Sequence, residues 1–269
     1  MRGRVLIIAG SDSGGGAGVQ ADIKSVSALG GFAATAITAL TAQNSLGVHS
    51  IYPVAPEFIK KQMNVVLEDI GADCLKTGML HSAEVIEVVS DVIKGKASQI
   101  PLVADPVMVA KGGANLLDES ARSAMIKKIL PLATLLTPNA PEASVLSGID
   151  VVDVNSQQAA GEILLKMGAR AVLVKGGHIS GSNIIDLLLT NNGTFRFESN
   201  RILTQHTHGT GCTLASGIAV GLAQGMDLQK AVSRARTYLS AAITAAPGFG
   251  SGHGPIDHTV TVDLKKINS

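Results

Sequence analysis

The chain of 269 residues is 46% hydrophobic and 16% charged, which supplies enough apolar side chains for one large α/β domain and argues against a disordered protein. Its net charge of +1 and its 3% aromatic content argue against a nucleic-acid-binding surface, and no apolar run approaches the roughly 20 residues of a membrane span. The two cysteines, Cys74 and Cys212, fit neither a metal site nor a disulfide framework, and the first apolar run (residues 5–9) is too short for a signal peptide, so we expect a soluble cytoplasmic protein.

Short β-branched runs alternate with helical patterns along the chain. Strands are predicted at residues 5–9, 36–40, 74–79, 102–104, 135–137 and 171–174, with a β-hairpin at 184–190 and 195–198. Helices are predicted at 17–29, 56–70, 82–94, 118–130, 156–167, 212–224 and 228–245. This alternation predicts a three-layer α/β/α fold with a mostly parallel central sheet. Because no linker or repeat interrupts it, we expect a single domain over residues 1–269.

Chemically distinctive residues follow the ends of the predicted strands. They are Gly10-Ser11-Asp12, Lys76-Thr77-Gly78-Met79, Asp105-Pro106-Val107-Met108, Thr137-Pro138-Asn139 and Lys175-Gly176-Gly177. In a sheet of this kind, ligands bind at the carboxyl ends of the strands. We therefore expect these segments to meet around one ligand, with the methionines either filling the core or forming an apolar wall.

A glycine-rich loop, residues 10–18, follows the first strand and opens a helix. Its glycines permit positive φ and close approach of the backbone to a ligand. The spacing Gly16-x-Gly18-x-x-Ala21 imitates a dinucleotide fingerprint, but it lies too far from the strand and lacks the acidic residue that closes a second strand. The loop is therefore either a plain tight turn or a substrate-binding loop.

Three oxygen-bearing side chains lie at neighbouring strand ends: Asp105, Asn139 and Glu142. Such hard ligands suit Mg²⁺, which commonly bridges phosphates and keeps several waters. The alternative is helix capping, with Asn139 as N-cap and Glu142 in the first turn. The two roles are compatible.

Lysines at strand ends are candidates for phosphate contacts. Lys175 follows four apolar residues, and Lys76 and Lys111 are weaker cases of the same kind. Each lysine either pairs with a phosphate or reaches along the surface to water. The run 111–113 resembles a flap that closes over phosphates.

The run from His208 to Gly217 combines a Gly-Thr-Gly turn with a segment of small apolar residues that predicts a helix. Free backbone N–H groups and the positive end of the helix dipole would then point at one position, which suits a phosphate or an oxyanion. Cys212 would lie there, where a thiol is acidified and serves as a base or nucleophile, unless it is simply a small core residue. His206 and His208, with His253 and His258 further on, lack a convincing zinc ligand set, so packing or phosphate contact is expected of them.

Taken together, seven segments in order make the chain similar to the ribokinase-like superfamily, and within it to the bacterial hydroxymethylpyrimidine/phosphomethylpyrimidine kinases of thiamine biosynthesis. These segments are residues 9–22, 38–44, 76–80, 105–108, 137–142, 174–178 and 208–212, and the tail at 250–258 also resembles the family. The first loop departs from the family pattern, because Ser13 and Gly14 stand where Pro and Ser are usual. We expect a looser loop there. Most sugar kinases of the superfamily have Asp where Cys212 stands, and cysteine is similar to this branch and to some pyridoxal kinases.

The resemblance implies an enzyme that transfers the γ-phosphoryl of MgATP first to 4-amino-5-hydroxymethyl-2-methylpyrimidine and then to its monophosphate. It implies that Asp22 and Gln43 bond the aminopyrimidine and that Gly10, Met79 and Val107 line its pocket. It further implies that Asp105, Asn139 and Glu142 organise Mg²⁺ and phosphates, that Lys175 contacts ATP, and that Gly209, Thr210, Gly211 and Cys212 form the anion hole.

In the implied mechanism Cys212 takes the proton of the alcohol, while the backbone donors and Lys175 stabilise charge on the transferring phosphoryl group. Relatives suggest a homodimer. Three alternatives remain: a pyridoxal or pyridoxine kinase, a non-catalytic pyrimidine-binding regulatory protein, and a nicotinamide-dependent dehydrogenase, for which the proper fingerprint is missing.

Overall fold

The computed structural model describes residues 3–108 and 118–263, so the expected flap at 111–113 lies outside the described residues. The helices in these ranges are α1 Gly18–Ala28, α2 Pro56–Asp69, α3 Ala83–Lys96, α4 Glu119–Ala124, α5 Ala140–Ser147, α6 Val154–Lys166, α7 Thr210–Ala223 and α8 Leu228–Thr244. The strands are β1 Arg4–Asp12, β2 Phe32–Asn44, β3 Gly47–Pro53, β4 Cys74–Thr77, β5 Leu102–Ala104, β6 Leu135–Leu136, β7 Ala171–Val174, β8 Asn183–Thr190 and β9 Gly193–Asn200.

All of these strands join one sheet, in the order β3-β2-β1-β4-β5-β6-β7-β8-β9. Six neighbouring strands, β2-β1-β4-β5-β6-β7, pair in parallel. The remaining strands, β3 at one edge and β8 and β9 at the other, pair antiparallel with their neighbours. The parallel pairing places the carboxyl ends of β1, β4, β5, β6 and β7 side by side. This edge is where a ligand site is expected in an α/β sheet.

Strand β1 separates two apolar cores. Leu6 and Ile8 pack with residues of α2 to α6, while Val5 and Ile7 pack with residues of α1, α7 and α8. Because successive side chains of a strand point to opposite faces, helices cover both faces of the sheet. The predicted fold class, a three-layer α/β/α fold with a mostly parallel sheet, is confirmed.

Several boundaries differ from the sequence expectation. Strand β3 and helix α5 were not predicted, and helix α7 begins two residues before residue 212. The helix predicted at 118–130 is divided, because α4 ends at Ala124 and gives way to a π-helical turn and then to a 3₁₀ turn that contains Pro131. Proline has no N–H to continue an α-helix. The single domain stays a prediction.

Among the described residues, none of the helices is both long enough and apolar enough to cross a bilayer.

Candidate active site

A cavity of about 890 Å³ lies at the carboxyl ends of the parallel strands. Residues that follow β1, β4, β5, β6 and β7 line it, together with the first turn of α7. The structure thus brings together the strand ends that the sequence analysis singled out. Of the residues that the family resemblance assigns to the site, all except Asp22 line this cavity, whereas His206 and His258 do not line it and Lys111 lies outside the described residues.

The glycine loop after β1 is organised by Asp12, which sequence reasoning did not assign a role. Its buried carboxylate accepts hydrogen bonds from the backbone N–H groups of Gly14 (2.8 Å), Gly16 (3.1 Å) and Ala17 (2.8 Å). The spacing Asp-x-Gly-x-Gly was visible in the sequence, because an Asp side chain commonly bonds the backbone a few residues ahead.

Ser13 fastens the same loop to strand β2. Its hydroxyl donates to the carbonyl of Gln43 (2.9 Å) and accepts from the Gln43 N–H (2.8 Å). A proline side chain could form neither bond. These bonds run contrary to the looser loop expected from the sequence.

The first turn of α7 is a backbone donor site. Its N-cap is Gly209, which has φ 83° and no side chain to accept from the N–H groups of the first turn. A Cβ at Gly209 would lie 1.8 Å from the carbonyl oxygen of Gly16, so the two glycine loops touch. The Thr210 hydroxyl donates to the Thr207 carbonyl (3.0 Å) and holds the turn from behind. This arrangement leaves the N–H groups of Gly211 and Cys212 available for an anion.

Cys212 is a free, partly exposed thiol, but it is not acidified. Burial raises its pKa to about 12, and although Lys76 opposes this shift, the carboxylates of Asp22 and Asp105 reinforce it. The expectation of an acidic thiol at the helix N-terminus was therefore wrong. In the ligand-free protein Cys212 is a neutral thiol at pH 7.

Asp22 and Lys76 form a buried ion pair, of which Lys76 lines the cavity and Asp22 does not. Both side chains are fully buried, and Lys76 Nζ lies 2.9 and 2.8 Å from the two oxygens of Asp22. The Ser216 hydroxyl donates to Asp22 as well (2.7 Å). Since Asp22 does not reach the cavity, this placement argues against the expected contact with an aminopyrimidine.

The surface alternative for Lys76 is wrong, because its side chain is fully buried. Lys76 lines the cavity while its Nζ pairs with Asp22, and a contact between Lys76 and a phosphate stays a prediction. Burial lowers the pKa of Lys76, but the negative charges of Asp22 and Asp105 raise it by more, so the net pKa lies above its usual value. Lys76 therefore remains a cation at pH 7.

Lys175 bridges the ends of β5 and β7. Its Nζ lies 3.0 Å from Asp105 Oδ1, which also accepts from the hydroxyl of Thr137 (3.1 Å). A Cβ at Gly211 would lie 3.5 Å from Lys175 Nζ, so this ammonium group adjoins the first turn of α7. Burial lowers the pKa of Lys175, but Asp105 and Glu142 raise it above its usual value. A cation and a set of backbone donors thus face one position.

Asn139 and Glu142 form the capping box of α5. The Asn139 side chain accepts from the Glu142 N–H (2.9 Å), and the Glu142 carboxylate accepts from the Asn139 N–H (2.8 Å). Burial raises the pKa of Glu142 to about 7, while Lys175 opposes and Asp105 reinforces the shift. The capping alternative is confirmed, and the Glu142 carboxylate also accepts a hydrogen bond from the backbone of Met108.

The described residues contain no group of three or more His, Cys, Asp or Glu side chains that could hold a metal. Asp105 and Glu142 interact electrostatically beside Lys175, and a buried carboxylate with a raised pKa gains from a nearby cation. Two carboxylates without a cage fit Mg²⁺, because Mg²⁺ takes its other ligands from phosphates and water.

The opposite end of the cavity has an apolar wall. Met79 and Ala39 form a small cluster against which Ile51 and Val107 pack. A Cβ at Gly10 would lie 2.4 Å from Met79 Cε, so the missing side chain makes room for the methionine. This wall suits a flat ring.

Three comparisons place the chain among known proteins. A model of the phosphomethylpyrimidine kinase family matches residues 12–257. The chain is 48% identical to a hydroxymethylpyrimidine/phosphomethylpyrimidine kinase of Haemophilus influenzae, over 95% of this chain and 96% of the relative. It is also 48% identical to the thiamine biosynthesis bifunctional protein ThiED of Geobacter sulfurreducens, over 97% of this chain but only 53% of that longer relative. The structure resembles an ADP complex of Bacillus subtilis pyridoxal kinase, with a TM-score of 0.88 and 33% identity over 97% of this chain and 98% of that one.

Proposed function

The chain belongs to the phosphomethylpyrimidine kinase family, and from this premise we propose which residues perform its reaction. The enzyme is an ATP-dependent kinase of thiamine biosynthesis that phosphorylates hydroxymethylpyrimidine and then phosphomethylpyrimidine. The observation that carries the assignment of residues is that an apolar wall and an uncapped helix N-terminus line the same cavity.

The substrate ring lies against Met79 and Val107, above Gly10, and the side chain of Gln43 bonds its polar edge. A carboxamide can donate to a ring nitrogen and accept from a neighbouring amino group at the same time. The hydroxymethyl group then points towards Cys212 and the first turn of α7. Asp22 has an indirect role, because it keeps Lys76 in place beneath the thiol.

The phosphates of ATP lie between Lys175 and the N–H groups of Gly211 and Cys212, in the turn that Gly209 and Thr210 begin. Phosphoryl transfer proceeds through a loose transition state with charge on the phosphoryl oxygens, so positioned donors and a cation provide most of the acceleration. Asp105 and Glu142, with Asn139 fixing the latter, would hold Mg²⁺, which neutralises phosphate charge when bound. Thr210 keeps the donor turn in shape through its bond to Thr207.

Cys212 accepts the proton of the alcohol in the first transfer. The base is the thiolate, which is strong but forms rarely at pH 7 because the pKa of the thiol is high. The positive charge of Lys76 nearby favours the thiolate. In the second transfer the acceptor is a phosphate monoester, whose second pKa is about 6, so it needs no base.

A pyridoxal kinase is the second candidate, because the solved structure quoted above is one. The family match and the higher identity to hydroxymethylpyrimidine kinases favour the first. The test measures ADP release with MgATP and either 4-amino-5-hydroxymethyl-2-methylpyrimidine or pyridoxal. The proposal requires a kcat/KM for the pyrimidine that exceeds that for pyridoxal, and turnover of pyridoxal alone would contradict it.

We also propose that the kinase is a cytoplasmic homodimer. Both cysteines are free thiols, as a reducing compartment requires. Leu46, Tyr52 and Phe58 expose large apolar surfaces around the edge strand β3, which suits an interface between two copies. Sedimentation of the wild type and of Tyr52→Lys tests this, because the variant would be monomeric.

A further inference from the structure

A chain of three side chains connects the first glycine loop with the polar end of the cavity. His208 Nε2 lies 2.8 Å from Asp12 Oδ2 and 3.2 Å from the amide nitrogen of Gln43. The oxygen of the same amide lies 3.2 Å from the Thr41 hydroxyl. The mechanism above uses neither His208 nor Asp12.

The ionisation of Asp12 decides which nitrogen of His208 carries a proton. Burial raises the pKa of Asp12, but hydrogen bonds from His208, Ala17 and Gly14 outweigh it, so the net pKa is lower than usual and Asp12 is a carboxylate. A carboxylate only accepts hydrogen bonds. His208 Nε2 therefore carries a hydrogen, which it directs towards Asp12 and Gln43.

This hydrogen fixes the orientation of the Gln43 amide. As placed, the amide nitrogen faces His208, which would set two N–H donors against each other. A half-turn of the carboxamide exchanges its nitrogen and oxygen and removes the conflict. The oxygen then accepts from His208, and the NH₂ group donates to Thr41, whose hydroxyl donates in turn to the Ser11 carbonyl (2.9 Å).

The surroundings keep this network rigid. The backbone of Gln43 is held by Ser13, and the His208 ring lies so close to Gly16 that a Cβ there would be 2.5 Å from its Cδ2. His208 is only 8% exposed, so its ring has little room to turn. One lone pair and one N–H of the Gln43 amide remain for the ligand.

We propose that His208 is a positioning residue that locks the Gln43 amide in one orientation and thereby selects a ring with an amino group next to a ring nitrogen. The inference rests on the proposed contact between Gln43 and the aminopyrimidine. In pyridoxal the hydroxyl is not adjacent to the ring nitrogen, so that ring cannot satisfy both atoms of the locked amide. An amide that was free to turn would discriminate less.

The test compares His208→Leu, which removes the N–H, with His208→Gln, which keeps a donor at a similar reach. His49→Leu is the matched control, because His49 is exposed and does not line the cavity. For His208→Leu we expect the KM for the aminopyrimidine alcohol to rise about tenfold, the loss of one hydrogen bond, with the KM for ATP unchanged. His208→Gln would restore most of the selectivity over pyridoxal.

Coupling to Gln43 separates positioning from a general structural role. In a Gln43→Ala background, His208→Leu would cause no further rise in KM. Equal effects in both backgrounds, or an unchanged KM in His208→Leu, would overturn the inference. If His208→Leu does not fold, Thr41→Val against Thr41→Ser repeats the test from the other end of the amide, and equal KM values for these two variants would overturn it.

Failure of the underlying assignments looks different. If Gln43→Ala leaves the KM of an active enzyme unchanged, Gln43 does not bind the ring and the inference falls with it. If the wild type does not phosphorylate the aminopyrimidine alcohol, the proposed function itself fails.

Discussion

Replacement of Cys212 by alanine separates the two phosphoryl transfers. With a pKa of about 12, the thiol is ionised in roughly one molecule in 10⁵ at pH 7, and this fraction rises tenfold with each pH unit. If the thiolate takes the alcohol proton, log kcat/KM of the first transfer rises with a slope near one between pH 7 and 8.5. The second transfer should be flat, because its acceptor is already an anion.

Base catalysis contributes about 10²–10⁴-fold, so Cys212→Ala should slow the first transfer by at least about 100-fold and flatten its pH profile. The second transfer should fall by less than about tenfold. Loss of folded protein does not distort the pH profile between pH 7 and 8.5. The pKa of Cys212 in the folded protein lies above its ordinary value of 9.0, so the stability contributed by the neutral thiol is complete below pH 9. That stability is lost only as pH rises towards 12. Single-turnover assays with each acceptor measure both steps, and equal losses, or a flat wild-type profile, would refute the reasoning.

Three further predictions concern two residues near the phosphates and the buried partner of Lys76. Gly209→Ala should abolish both transfers, because the new Cβ would lie 1.8 Å from the Gly16 carbonyl oxygen. The control Gly225→Ala has nearly the same φ but open space around the Cβ, so it should remain active and lose about 1–2 kcal/mol of unfolding free energy. Activity assays and urea unfolding distinguish the two variants. Glu142→Gln should raise the Tm of the ligand-free protein at pH 8 but hardly at pH 5, while the Mg²⁺ concentration needed for activity increases. The direction of this change in Tm follows from the pKa of Glu142, which is about 7 in the folded protein and ordinarily 4.5. The stability contributed by the neutral carboxyl is lost as pH rises through 7, and glutamine stays neutral. A lower Tm for the variant at pH 8 would contradict this prediction. Asp22→Asn should cost about 3–5 kcal/mol in chemical unfolding, because it leaves the buried Lys76 without a full partner, and a loss below about 1 kcal/mol would contradict this.

Local sequence patterns predicted the parallel part of the sheet and the placement of the ligand cavity. Strand β1 is a continuous apolar run, and glycines or prolines mark where it and its neighbours end, so both type and position were readable. Strand β3 was missed because Gly47–Pro53 is an edge strand with mixed exposure and only faint alternation. Helix α5 was missed as an element although its capping box, Asn139 with Glu142, was recognised.

The pairing of charges could not be predicted from the sequence. Asp22 and Lys76 lie 54 residues apart, and nothing local to either indicates the other. The same holds for His208 and Asp12, 196 residues apart. For Cys212 a local pattern was misleading, because its position at a helix N-terminus suggested a low pKa. Burial and the carboxylates of Asp22 and Asp105, which are far away in sequence, raise that pKa instead. Tertiary packing decides which charge faces which, and the chemistry follows from that.

The most direct test of the central assignment is a time course of product masses with MgATP and 4-amino-5-hydroxymethyl-2-methylpyrimidine. The account predicts that the monophosphate appears first and is then consumed as the diphosphate accumulates, with two ADP released per diphosphate. A product that stops at the monophosphate would contradict the use of one cavity for both transfers, and no phosphorylated pyrimidine at all would contradict the assignment of the site.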